Sequence, residues 1–417
     1  MKQGQPLPPR STLVFLLPLL GLGGHAHAGG FIEDAEARLS LRNYFITRNY
    51  VNDARQGKAQ AWTQAFMLDT SSGFTPGPVG FGLDVRGLFA VKLDGGRGTG
   101  GTSLLPIHDD GRQADNFGRL AVAAKAKVSS TELKVGEWVP QLPVLYADEY
   151  GRTLPQTFKG AQVTSTEVDG LTLMGGRFTQ TSQRDDASME DLPAFGATSD
   201  QFNFAAGEYA FNGGKSLVGL WHAQLKDIYS QEYIQFKHFQ DVGDWELGAR
   251  LGFYIGREDG SAKAGDLDNR TYSGLLSARL KTHTFYVGLQ KLEGSSDWMT
   301  VDVTSSDGEY LANHSYSSKF DAAGQRSWQV RYDYNFAGLG VPGAFFMGRY
   351  ISGDHVNAGD NSNGKEWVRE LEVGYVIQSG PLKNLGVRWR NNTARRDWMD
   401  YNFDENRVIV TYPLSLL

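Results

Sequence analysis

Long stretches of this sequence alternate apolar and polar residues with a period of two. The clearest stretch is 407–414, and comparable stretches are 81–92, 245–255, 328–335 and 385–390. Because successive side chains of a strand point to opposite faces, each stretch predicts a β-strand with one apolar face and one polar face. The pattern predicts an all-β fold, and it fits both a soluble sandwich and a membrane barrel.

Strand length and strand ends favour the barrel over the sandwich. The predicted strands are about ten residues long, which suits tilted transmembrane strands better than strands of globular sheets. Aromatic residues cluster at predicted strand ends, in 332–336 and 398–403, as an interfacial girdle requires. We therefore predict a single antiparallel transmembrane β-barrel.

The predicted connections between strands fall into two classes. Residues 335–340 and 379–384 are typical of tight turns, whereas 297–326 and 354–365 are typical of long polar loops. Short turns at one rim and long loops at the other are the arrangement of outer-membrane barrels. The glycine-rich segment 96–101 is also predicted to be a loop, because no helix follows it to hold a dinucleotide.

Composition excludes several other classes of protein. The chain has no cysteine, so neither a disulfide nor a thiolate metal site is available to it. The histidines and acidic residues show no metal-binding spacing, and we predict no metal and no cofactor. A formal charge of −6 argues against a nucleic-acid binder. No apolar run is long enough for a transmembrane helix, which excludes a helical membrane protein.

The N-terminal segment has the features of a secretory signal peptide. Lys2 and Arg10 precede an apolar run from Leu13 to Leu22, and small residues follow at Ala26 and Ala28. We expect cleavage after Ala28, so residues 1–28 form the signal peptide and residues 29–417 form one barrel domain. The expected location is the bacterial outer membrane.

A set of short motifs is spread along the chain, at 72–84, 131–136 with 142–145 and 154–158, 348–350, 378–381, and 388–391. Together these motifs resemble the OprD family of substrate-specific outer-membrane porins. Their order along the chain makes the set specific. The resemblance implies a barrel of about eighteen antiparallel strands with an inward-folded constriction loop. It also implies uptake of small carboxylate-bearing molecules such as basic amino acids or aromatic acids.

Arginine recurs on the face of the predicted strands that lies opposite the aliphatic residues. An arginine facing the bilayer midplane costs about 2–4 kcal/mol, so these side chains are expected to line the lumen. A guanidinium offers a planar fork to a carboxylate, and successive forks form a basic ladder for anions. The ladder comprises Arg38, Arg42, Arg86, Arg250, Arg331, Arg349, Arg388, Arg390 and Arg407.

The alternative for each arginine is an ion pair with an inward-facing acid that merely satisfies the lumen. The candidate acids are Asp84, Glu246, Asp333, Glu370 and Glu372. His222 shares a face with Gln224 and Lys226 and is also predicted to face the lumen.

Residues 139–159 break the alternation and form the predicted constriction loop. Its prolines cannot donate hydrogen bonds to a sheet, although the segment is apolar and needs cover. Folding into the barrel would supply that cover, and packing as an outer loop is the alternative. We expect the pore to be narrowed by Tyr146, Asp148, Glu149 and Arg152.

We expect small carboxylates as substrates, and membrane lipid, lipopolysaccharide and the barrel-assembly machinery as partners, with a weak homotrimer as a further possibility. The main alternative function is an outer-membrane enzyme of the serine hydrolase type. That enzyme requires a serine, a histidine and an acid in contact, and no such trio is evident in the sequence. A closed structural barrel is disfavoured because so many strands leave an interior too wide for side chains to fill.

Overall fold

A computed structural model describes residues 30–51, 56–302, 310–359 and 361–417, without the side chains of residues 361 and 362. The predicted signal peptide lies outside the described residues. Twenty-two strands are numbered in chain order, and eighteen of them form one closed sheet. The fold class predicted from the sequence is therefore confirmed.

The eighteen barrel strands are β1 Glu36–Val51, β2 Lys58–Ser71, β3 Gly80–Asp94, β4 Asn116–Val128, β5 Thr131–Trp138, β8 Thr157–Val168, β9 Leu171–Ser182, β12 Phe202–Phe211, β13 Ser216–Leu225, β14 Tyr229–Val242, β15 Trp245–Glu258, β16 Asp268–Leu280, β17 His283–Gly294, β18 Arg326–Asn335, β19 Ala344–Ala358, β20 Asn361–Val376, β21 Gly386–Arg396 and β22 Asn402–Ser415. Two short hairpins lie within loops, β6 Gln141–Leu142 with β7 Leu145–Tyr146, and β10 Leu192–Ala194 with β11 Ala197–Ser199. A 3-10 helix, η1, spans Phe336–Leu339.

The sheet closes because β1 pairs with both β2 and β22. Arg38 lies opposite Asp69 on one side and opposite Ser415 on the other. Every pairing between neighbouring strands is antiparallel. Closure leaves no unpaired edge, so the backbone hydrogen bonds of the wall are satisfied within the barrel.

The two rims of the barrel differ in the length of their connections. The rim where β1 begins and β22 ends has short turns, including the predicted turns after β18 and β20. The opposite rim has the four longest connections, 95–115, 139–156, 183–201 and 295–325. In barrels of this class the long loops lie on the extracellular side.

One predicted loop is wrong. Residues 354–365 were expected to form a long polar loop, but β19 continues to Ala358 and β20 begins at Asn361. The two strands form a hairpin with a very short connection. We attribute the error to the length of this hairpin, because a strand that extends past the lipid meets water and needs no apolar face there.

The outward face of the wall is apolar and the inward face is largely polar. Large aliphatic residues such as Leu220, Leu276 and Leu289 are more than half exposed on the outside. Glutamines and arginines such as Gln235 and Arg407 are buried on the inside. Among the described residues, no helix has the length and apolarity needed to cross a bilayer.

All four long loops place apolar residues inside the barrel. Leu104, Leu154, Leu192 and Trp298 each come from a different long loop, and all are buried in clusters with inward-facing wall residues. The exclusion of these side chains from water favours folding of the loops into the lumen. The interior is therefore narrowed from the extracellular side by several loops together.

Candidate functional site: an arginine-rich lumen

Eight of the nine predicted ladder arginines lie on one side of the barrel. They are carried by β18, β19, β21, β22, β1 and β3, which belong to one run of neighbouring strands. Arg250, on β15, is the exception. Strand parity points these side chains into the lumen, because inward positions recur every second residue. The adjacency of their strands in the sheet brings them to one wall. We call this side of the lumen the arginine wall.

Carboxylates alternate with guanidiniums across the strands of the arginine wall. Arg349 Nε lies 2.9 Å from Glu370 Oε2, and Arg390 Nε lies 2.7 Å from Glu372 Oε2. Glu405 is shared, because its Oε2 lies 2.7 Å from an Arg48 nitrogen and its Oε1 lies 2.5 Å from Arg407 Nε. Such charge-assisted pairs hold the side chains in fixed positions.

The pairing leaves this part of the wall with an excess of positive charge. Glu372 is also shared, because Arg388 lies 3.7 Å from its second oxygen. Five guanidiniums therefore face three carboxylates, namely Arg48, Arg349, Arg388, Arg390 and Arg407 against Glu370, Glu372 and Glu405. The uncompensated charge favours anions in the adjoining lumen.

The predicted ladder arginines differ in their exposure. The Arg388 side chain is 43% exposed, and Arg38 is exposed near the rim of short turns. Arg86 and Arg331 are partly exposed, and each pairs with an acid of the wall, Asp69 for Arg86 and Asp333 for Arg331. The buried members are Arg42, Arg250, Arg349, Arg390 and Arg407.

Burial of three wall arginines is caused by the loop 295–325. The ring of Tyr316 lies 3.7 Å from the guanidinium carbon of Arg390 and 5.0 Å from that of Arg349. Arg407 donates a hydrogen bond of 2.8 Å to the carbonyl of Tyr316. The backbone nitrogen of Ser317 donates to Glu370 at 3.1 Å. The loop thus contacts both the guanidiniums and a carboxylate of the wall.

The constriction loop is fixed to the arginine wall through its backbone. One terminal nitrogen of Arg42 donates to the carbonyl of Arg152 at 2.7 Å and lies 3.2 Å from that of Glu149. The Tyr44 hydroxyl donates to the carbonyl of Gly151 at 2.9 Å. Arg42 and Tyr44 are inward residues of β1, so a single strand anchors the middle of the loop.

The predicted polar residues of the constriction loop point to different partners. Glu149 pairs with Arg86 at 2.8 Å, and Asp148 pairs with Arg184 of the next long loop at 2.7 Å. The ring of Tyr146 lies edge-on to Tyr310, with centroids 5.2 Å apart. Burial lowers the pKa of Arg152 to about 9, which leaves its guanidinium charged at neutral pH, and it donates to the carbonyl of Thr102.

Several charged residues of the lumen were not predicted from the sequence. Arg48 and Glu405 share the inward parity of Arg42 and Arg407, so the alternation contained the information needed to find them. Lys125 and Lys134 both pair with Asp84, at 2.7 and 2.6 Å. Tyr316 could not have been found in this way, because it lies in a loop without periodicity.

His222 does not face the lumen, so its predicted position is wrong. It shares the outward face of β13 with Leu220 and pairs with Glu232 at 2.9 Å. The neighbouring Trp221 is buried on the inward side. The inward face of β13 is apolar because it packs against the folded-in loops, and polarity alone was therefore a poor guide to orientation there.

A serine and a histidine do meet on the outward face, at the rim of short turns. Ser216 Oγ lies 2.8 Å from His238 Nδ1 across β13 and β14. Hydrolytic catalysis by such a pair also requires an acid that orients the imidazole. Among the described residues, no carboxylate bonds to His238. Within the same residues, no group of three or more His, Asp or Glu is placed to hold a metal ion.

Comparisons with known proteins agree with this architecture. Residues 29–416 match the family described as "outer membrane porin, OprD family". The porin-like protein GalP of Pseudomonas putida is 56% identical, over 99% of this chain and 98% of its own length. A crystal structure of a BenF-like porin from Pseudomonas fluorescens Pf-5 is 60% identical, with a TM-score of 0.91, over 93% of this chain and 100% of that one.

The structure of Pseudomonas aeruginosa OccK2 (OpdF) in complex with glucuronate is 55% identical, with a TM-score of 0.85 and the same coverage of both chains. The match of both sequence and barrel over nearly the whole chain decides the family. The chain therefore belongs to the OprD family of porins of the bacterial outer membrane.

Proposed function

We propose that this porin admits small carboxylate-bearing molecules, which diffuse along the arginine wall. The observation that carries the proposal is the excess of guanidiniums over carboxylates on β19–β22 and β1. A neutral sugar or a cation gains nothing from this excess. An anion is attracted by it, and a planar carboxylate also matches the guanidinium fork.

Arg388 is the wall residue best placed to meet a substrate. Its side chain is 43% exposed, and its 3.7 Å contact with Glu372 is too long for a hydrogen bond. A unit charge pair at 4 Å is worth about 4 kcal/mol at an effective dielectric of 20. An attraction of that size permits both binding and release, as a conducting site requires.

The buried arginines act on a passing solute indirectly. Arg349, Arg390 and Arg407 are covered by the segment around Tyr316, so they act on a solute through their charge and through the position of that loop. Arg42 acts through the constriction loop. Direct contact with substrate is assigned to Arg388 and Arg38.

A relative with the same fold supports the choice of substrate class. Glucuronate, a sugar acid, is bound in the structure of OccK2 (OpdF). The aromatic acids implied by the family resemblance carry the same functional group. We therefore propose the carboxylate as the recognised feature, with the remainder of the molecule limited by the width between the loops.

The proposal is tested with purified protein in a planar lipid bilayer. Current through single channels is recorded with glucuronate or benzoate on one side, and with glucose or benzyl alcohol as neutral controls of similar size. We expect brief current blocks with both carboxylates and few with the neutral molecules. Equal block frequencies for glucuronate and glucose would contradict carboxylate recognition, and absence of conductance would contradict pore function.

A further inference from the structure

A groove runs along the outward face of the five neighbouring strands β15 to β19. It has a volume of about 650 Å³, within the range of roughly 300–1,000 Å³ of small-molecule sites. Its apolar lining comes from Leu251, Tyr272, Leu289 and Trp328. Gly274 forms part of the floor, where a Cβ atom would lie 3.3 Å from a methyl group of Leu251. The missing side chain thus keeps the groove open.

Two cations border the groove on one side only. Lys291 and Arg326 lie directly opposite each other on β17 and β18, and Asp354 lies opposite Arg326 on β19. The next row of cross-strand neighbours toward the membrane centre contains Leu289 and Trp328. β17 ends and β18 begins at the rim of long loops, so the cations lie on the extracellular side of the apolar row.

The acids beside these cations do not neutralise them firmly. Lys291 Nζ lies 2.5 Å from Glu293, and Arg326 Nε lies 3.2 Å from Asp354, but all four side chains are between about a third and a half exposed. Exposed ion pairs of this kind contribute only about 0–1 kcal/mol. A phosphate group can therefore replace these acids as the partner of both cations with little loss of ion-pair free energy.

We propose that this groove binds one molecule of lipopolysaccharide. An acyl chain lies against Leu289 and Trp328 over Gly274, and a phosphate of the lipid A headgroup contacts Lys291 and Arg326. The order of the two parts fits an outer-leaflet lipid, whose headgroup is extracellular to its acyl chains. The proposal is independent of carboxylate uptake, because it concerns the opposite face of the wall.

The charges of the groove are tested by the amount of lipid that stays bound during purification. Full-length protein is purified in mild detergent from cells that contain lipopolysaccharide, and lipid bound per barrel is counted by native mass spectrometry. We expect the K291Q/R326Q variant to retain about one tenth of the lipid per barrel that the wild type binds, because two charge-assisted contacts are weakened. A matched control is R177Q/K365Q, which removes one arginine and one lysine exposed on other strands, β9 and β20.

A second variant tests the groove without changing its charge. Gly274→Leu fills the floor, and we expect it to reduce bound lipopolysaccharide by a similar factor. Each variant is first shown to have the electrophoretic mobility of the folded barrel. Unchanged lipid in K291Q/R326Q, or an equal loss in the control, would overturn the site. Retention of phospholipid in place of lipopolysaccharide would overturn its assignment to the outer leaflet.

Discussion

Arg42 is predicted to hold the constriction loop in its closed position. One of its terminal nitrogens lies within hydrogen-bond distance of the carbonyl oxygens of Arg152, Glu149 and Thr153, at 2.7, 3.2 and 3.4 Å. Arg42→Met keeps an unbranched apolar stem in place of the arginine stem and removes these donors. The carbonyls of the loop then lose a cationic partner in a buried place.

The expected size of the effect follows from the nature of these bonds. Hydrogen bonds to a charged group contribute about 1.5–3 kcal/mol, and each 1.4 kcal/mol changes an equilibrium about tenfold. Tyr44 still holds Gly151, so the loop remains attached at a second point. We therefore expect the population of the open loop to rise about 10- to 100-fold, with the barrel still folded.

Single-channel recordings measure this population directly. The Arg42→Met channel should visit a higher-conductance state more often and for longer than the wild type. The control is Arg331→Met on β18, whose ion pair is with Asp333 on the same strand. The reasoning is refuted if the two variants gate alike, or if Arg42→Met has the closed lifetime of the wild type.

Three further predictions concern the wall and the loop 295–325. Arg388→Gln should raise the dissociation constant for glucuronate about tenfold, as measured from the frequency and duration of current blocks, and Arg38→Gln should have a smaller effect. Equal block in Arg388→Gln and wild type would exclude Arg388 as a contact. Tyr316→Ala should expose Arg390 and raise conductance, and an unchanged current would show that the ring does not limit the pore. Burial lowers the pKa of His314 below its usual 6.5, although Asp321 lies 3.7 Å away, so the neutral imidazole stabilises the packed loop above that pH. This contribution is lost as the pH falls through the lowered pKa. We therefore expect loop-opening events to increase below pH 6.5 in the wild type and not in His314→Gln. Identical pH profiles of the two proteins would contradict this role of His314.

Acidic residues of the same loop work in the opposite sense, which is why the variant is needed. Burial raises the pKa of Asp297 and of Asp302, and stability from a raised carboxyl is lost as the pH rises through its folded pKa. Asp321 is the exception, because its contact with His314 and the charge of Lys319 lower its pKa despite burial. Only the comparison with His314→Gln isolates the imidazole.

The sequence was sufficient for the barrel because lipid imposes a strict alternation on its wall. Val408 and Arg407 occupy opposite faces of β22 as their parity predicts. The same rule placed the arginines on the inward face, where the structure describes them. It failed for His222, because β13 packs its inward face against apolar loop residues and loses the polar signature of a lumen wall.

The sequence was insufficient for the contacts between loops and wall. The constriction loop was recognisable from its prolines and its apolar residues, whose burial requires a partner. The position of Tyr316 over Arg390 depends on the fold of the loop 295–325, which has no periodicity and makes its contacts with residues distant in the chain. Whether an arginine is exposed like Arg388 or covered like Arg390 is decided by that packing.

The most direct test of carboxylate uptake is a comparison of fluxes through the same channel. Purified protein is reconstituted into liposomes, and the entry of radiolabelled glucuronate and glucose is measured at equal concentration for wild type and Arg388→Gln. We predict that glucuronate enters faster than glucose in the wild type and that the substitution removes most of this advantage. A wild-type channel that passes glucose at least as fast as glucuronate would contradict the proposed role of the arginine wall.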